Sequence, residues 1–139
     1  MTREVIFSLK PEFAALIESR EKNHEFRGYL PKITPRKIWF YITKPVSSLV
    51  YIAEVGSAVV YPQKIGIAGV GNSDFNAGRK MSKYAFPIMH LCVLKRPLPL
   101  VELQEKFGFT APQGFVYANK YPKLYNFVYG EENTLIGIF

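Results

Sequence analysis

One cysteine, two histidines and no Cys or His pair at ligand spacing leave this sequence poorly equipped for a disulfide framework or a zinc site. Cys92 lies in the apolar run "FPIMHLCVL" and reads as a buried core residue. His24 and His90 read as packed or exposed side chains, so neither a metal nor a cofactor is expected. No basic or acidic tail, repeat or Pro/Ser-rich linker divides the 139 residues, which predicts one domain spanning 1–139. The longest apolar stretch, "LVYIAEVGSAVVY", is interrupted by Glu54 and too short to span a bilayer. The opening "MTREVIFSLKPEF" lacks the apolar region of a secretory leader, so a soluble cytoplasmic protein without a membrane partner is expected.

What the sequence has in quantity is apolar and basic side chains. Hydrophobic residues make up 48%, enough for a folded core and too many for a disordered chain. Lys and Arg number 18 against 11 acids, a net charge of +7 that suits a polyanionic partner. The charge is dispersed through the chain, so solubility explains it as well as nucleic-acid binding does.

"EVIFSLK" reads as a strand, and Pro11 then opens a short helix with Phe13, Leu16 and Ile17 on one face and Arg20 near its end. A second strand is expected at "KNHEFR", followed by the turn-rich "GYLPKITPR" and the β-prone "KIWFYIT" and "SSLVYIAEVGSAVVY". The glycine-rich 64–80 contains neither a P-loop nor a complete dinucleotide fingerprint and reads as a mobile surface loop. "YAFPIMHLCVL" returns to strand, and "LVELQEKFG" is a short helix closed by Gly108. Tyr117, Tyr121, Tyr125 and Tyr129 recur every four residues, and Pro122 breaks any single helix through them, which favours core packing over base stacking. The pattern predicts an α+β fold: a small mixed β-barrel of about six strands flanked by two or three short helices.

Within "KNHEFR" a period of two places Asn23, Glu25 and Arg27 on one face and Lys22, His24 and Phe26 on the other, with Phe26 directed into the core. Lys22 reaches Glu25 only if the preceding turn aims it there. The pattern alone favours a solvated strand face carrying an incidental ion pair.

The run Arg20-Glu21-Lys22-Asn23-His24-Glu25-Phe26-Arg27 resembles the G-x-K-x-x-E-x-R signature of the ASCH domain family, in the PUA-like superfamily with the EVE and YTH domains. Only the first position departs, Arg20 standing where the signature has glycine. The likeness extends to "FSLKPEFAALI", "KIWFYITKPV", "YAFPIMHLCVLKRPLPLVEL" and "APQGFVYAN"; the glycine-rich stretch fits least well. The resemblance implies a PUA-like barrel with a basic cleft between the first helix and the barrel. It further implies that Lys22, Glu25 and Arg27 bind RNA or a nucleotide-like ligand there in a regulatory role, bordered by Lys10, Tyr41, Thr43, Lys44 and Tyr84. Such chemistry suits the residues: Lys and Arg meet phosphate, and Glu accepts from a base and orients Arg27. The alternative is a hydrolase of acylated or modified nucleosides, or of RNA, with Lys22 and Glu25 as the catalytic pair. Against it, the threonine nucleophile of the amidohydrolase pattern is replaced here by Glu25.

Overall fold

The computed structural model describes residues 4–131 and 133–139; the first three residues of the leader reading lie outside the described residues. Strand β1 (Glu4–Leu9) leads into α1 (Pro11–Glu18), β2 (His24–Arg27), β3 (Lys37–Ile42), β4 (Ser48–Val55) and β5 (Val59–Val60). Then follow α2 (Asn72–Asn76), β6 (Tyr84–Pro99), α3 (Leu100–Phe107), β7 (Phe115–Tyr117), α4 (Pro122–Val128) and β8 (Leu135–Gly137). The principal path of the sheet is β2-β6-β4-β3-β1-β7, with β5 and β8 also on β6. β1 and β3 run parallel; β1 pairs antiparallel with β7, and β6 with β2, β4, β5 and β8. The result is α+β, with a curled sheet whose six-strand path agrees with the expected barrel.

β6 makes the curl possible. Its first residues pair with β2 and β5, while the remainder pairs with β4 and β8. The β4–β6 register shifts at Leu49/Tyr51 and again at Glu54/Val55, and such irregularities bend a strand and sharpen its twist.

Alternate residues of the central strands feed two cores, as the pleat requires. Val5, Phe7 and Leu9, with Ile38, Phe40 and Ile42, face Ala14 and Ile17 of α1. Ile6, Trp39 and Tyr41 belong to the opposite core, with Leu103 of α3 and Leu124 and Val128 of α4. Burial on both faces explains why "VIF" and "IWFYI" are continuous apolar runs rather than alternating ones. Three of the four tyrosines serve this second region: Tyr121 is buried in it, Tyr125 stacks on Trp39, and Tyr129 donates to Glu4, which also accepts from the Trp39 indole; Tyr117 packs on the first core instead.

Several expectations are corrected. Phe13 is 38% exposed, because Ala14 and Ile17 supply the buried face of α1. Arg20 lies beyond the helix at φ 70°, in the left-handed region where the family signature carries glycine, and its guanidinium rests over the Phe139 ring. Cys92 is half-buried rather than a core residue; its cross-strand partner on β8 is Gly137, which has no side chain to cover it. Phe26 is half-buried and packs on Phe75, outside the two large cores. The glycine-rich stretch is an ordered wall, with Phe75 of α2 buried and Asn72 hydrogen-bonded to β2's approach. Among the described residues no helix is long and apolar enough to cross a membrane.

Candidate functional site

The barrel path leaves a seam. β2 ends the path on one side, and on the other β1 pairs with β7 only from Val5 to Phe7, so the main chain of Ser8 emerges unpaired by that strand. Arg27 bridges the seam: its Nη2 donates to the Ser8 carbonyl at 3.0 Å, while Nη2 and Nε bind Glu25 Oε2 at 2.6 and 3.0 Å. Its guanidinium also lies 4.1 Å from the Phe7 ring centroid. Such a planar fork, held by a carboxylate, a carbonyl and a ring together, has one available pose.

Lys22 arrives from the turn, as the strand pattern requires. The left-handed Arg20 reverses the chain after α1, and the Lys22 amide then donates to Leu16 O at 3.0 Å, fixing the backbone. Its ammonium donates to the His24 carbonyl and, at 2.9 Å, to Glu25 Oε1. Relative exposure is 5% for Lys22 and 4% for Glu25, so this is not a solvated strand face. A Lys-Glu-Arg set removed from water holds together only because the carboxylate satisfies both cations. Burial pulls the Lys22 pKa below the usual lysine value; Glu25 works against this, and Lys80 and Arg27 add to it.

These groups open onto a cavity of about 350 Å³ lined by Ser8, Leu9, Lys10, Phe13, Lys22, Glu25, Phe26, Arg27, Val70, Gly71, Lys80 and Ser82. Four cations face it against one carboxylate. Two phenylalanines present aromatic surface, with the Lys22 ammonium 4.8 Å from the Phe26 centroid and 5.8 Å from that of Phe13. The volume lies in the range of small-ligand pockets and is sufficient for about one nucleotide.

Of the residues expected at the cleft, Lys10, Lys22, Glu25 and Arg27 line this cavity, whereas Tyr41, Thr43, Lys44 and Tyr84 do not. Tyr41 alternates to the other face of β3 and packs on Phe109 in the second core. Thr43 follows β3 and donates its amide to Leu9 O, and Lys44 is exposed in the turn after it. Tyr84 starts β6, paired with Arg27 in the backbone register but not lining the cavity.

One wall of the cavity leaves no local signal in the sequence. Asn23, a variable position inside the signature, donates to Ala68 O at 2.9 Å and accepts from Asn72 Nδ2 at 2.9 Å; Val70 N binds Glu21 O at 2.9 Å. This amide hub docks the glycine-rich segment on the signature turn. Gly69 permits the approach, since a Cβ there would come within 2.7 Å of the Asn23 amide. His24 completes the hub: its Nδ1 donates to Asn23 Oδ1 at 2.7 Å, that oxygen already being the acceptor for Asn72. Burial, and secondarily the Lys22 charge, lowers the His24 pKa, which suits a neutral packed ring.

Comparison with protein-family models finds no match. The ASCH domain-containing ribonuclease of Zymomonas mobilis is 40% identical over 129 aligned residues, with 85% of this chain and 86% of that protein covered. The chain belongs to the ASCH domain family. The crystal structure of ASCH from the same organism superposes with a TM-score of 0.64 at 28% identity, covering 89% of this ASCH domain and 94% of that chain. A tyrosine-to-phenylalanine variant of that protein gives 0.64 at 27% identity, covering 89% and 97%. The likeness therefore spans the curled sheet and its helices, not the signature alone.

Proposed function

We propose that this ASCH domain recognises RNA in the cleft between α1 and the curled sheet, holding it through Lys22, Glu25, Arg27 and Lys10. The observation that carries this reading is the buried, mutually bonded Lys-Glu-Arg set at the mouth of a cavity with excess positive charge and two aromatic faces. Phosphate would be held by Lys10 and by the N–H groups of Lys22 and Arg27 not already bonded within the set, while Glu25 keeps Arg27 oriented and the rings stack on a base. The relative named as a ribonuclease supports RNA over other polyanions.

A second reading, cleavage of RNA in the same cleft, is favoured by that relative's name and by the lowered pKa of Lys22. A lysine brought nearer to neutral pH is a better proton acceptor, as attack by a 2′-hydroxyl on the adjacent phosphodiester requires. Arg27, held in one pose, would face the charge that grows on the phosphate.

A panel of single-stranded RNA, single- and double-stranded DNA and modified nucleosides at two salt concentrations tests the first reading. It expects RNA to bind best, with affinity falling steeply as salt rises; indifference to RNA would overturn it. Cleavage of labelled RNA, lost in Lys22→Ala, would add the second reading, and intact RNA after prolonged incubation would remove it.

A further inference from the structure

We propose that Lys80, delivered by the glycine-rich segment, receives a phosphate of the bound ligand, so that the cleft selects phosphate-bearing nucleotides over free nucleosides. This rests on reading the cleft as an RNA site and names the group that its added wall recognises.

The signature cations already have acceptors. Lys22 donates to His24 O and Glu25, and Arg27 donates to Glu25 and Ser8 O. Lys80 differs. It lines the same cavity, yet among the described residues no carboxylate pairs with its ammonium, which lies 4.4 Å from the Phe26 ring centroid. Lys22 approaches that ring too, at 4.8 Å, and the Lys80 charge is among the causes that lower the Lys22 pKa. Two ammoniums on one half-buried ring repel each other, and an anion between them would relieve that repulsion.

The segment is shaped to keep Lys80 in this place. Gly71 sits at φ 85°, and a Cβ there would come within 2.8 Å of the Phe26 ring and 3.0 Å of Lys80 Cε. The absent side chain thus makes room for the lysine stem against the ring. Lys83 donates to the carbonyl of Lys80 itself, pinning the backbone from behind. Ser82 and the exposed Lys10 line the same cavity and supply further donors for a phosphate. A neutral nucleoside would leave this cation unsatisfied; a nucleotide would not.

The test compares the four nucleosides with their 3′- and 5′-monophosphates and a short single-stranded RNA by titration calorimetry, on wild type, Lys80→Gln and Lys80→Arg. Lys80→Gln keeps much of the stem over Phe26 and removes the charge. The wild type is expected to prefer at least one monophosphate over its nucleoside by about tenfold or more, as a charge-assisted contact implies. In Lys80→Gln that preference is expected to shrink to about threefold or less, with the salt slope for RNA reduced by about one, and Lys80→Arg restores both. The proposal is overturned if RNA binds and Lys80→Gln keeps the wild-type preference, or if nucleosides bind as tightly as their phosphates. A wild type that binds neither RNA nor any nucleotide overturns the RNA reading and this proposal together.

Discussion

Glu25 is the one acid among the four bases that face the cleft, and both of its oxygens are occupied by cations. Removing its charge would strand Lys22 and Arg27 in a site from which water is largely excluded. Glu25→Gln is therefore expected to destabilise the fold by about 3 kcal/mol in denaturant titrations, and Lys22→Met, which deletes a charge and keeps the stem, by distinctly less. Equal costs for the two would mean that the ammonium organises the set as much as the carboxylate does. His24 gives a second prediction. Burial lowers its folded-state pKa from the ordinary 6.5, so on acidification the unfolded chain takes up the proton first. Its share of stability is present above pH 6.5 and is lost as pH falls through the lower folded-state value. Melting temperature should fall between about pH 7.5 and pH 5.5, and fall less in His24→Gln; an unchanged pH response in that variant would remove His24 from the account. At this scale the Lys22-Glu25-Arg27 spacing was legible because one turn and one strand suffice to bring the three together. The side Tyr41 takes has no signature in the sequence, because adjacent residues of a doubly buried strand face opposite cores, and both cores are apolar.

Among the elements, the glycine-rich segment departs furthest from the sequence expectation. Glycine content alone suggests mobility, but here the glycines serve close approach: Gly69 to the Asn23 amide and Gly71 to Phe26 and Lys80. The docking depends on partners 45 and 49 residues apart in sequence, Asn23 with Ala68 and with Asn72, and no local pattern reveals such a pair. Asn23→Ala should undock the segment. Amide exchange over 64–80 is expected to accelerate while β1, β3 and β4 keep their protection, with a stability loss of about 1 kcal/mol, since His24 Nδ1 loses its acceptor while Asn72 keeps its bond to Ile67 O. Unchanged exchange in 64–80 would show that Phe75 packing alone holds the wall. Conversely, α3 with its Gly108 stop and the strands β3 and β4 were readable because apolar period and cap chemistry agree there.

For the whole molecule, dispersed basic charge has two explanations, which differ in whether a cation's position matters. Lys10, Lys22, Arg27 and Lys80 converge on one cavity, whereas Lys123 lines a different hollow beside α4. Convergence could not be read from the sequence, because it follows from the curl of β6, which brings β2 to the seam beside β1. If the cleft is the RNA site, a cation lost there matters more than one lost elsewhere, although both change net charge equally. The most direct measurement is the affinity of single-stranded RNA, by fluorescence anisotropy, for Arg27→Ala and Lys123→Ala, each first shown to be folded at the assay temperature. Arg27→Ala is expected to weaken binding by about tenfold or more and Lys123→Ala by no more than about twofold. Equal losses in the two variants would contradict the account, since RNA would then be responding to surface charge and not to the cleft.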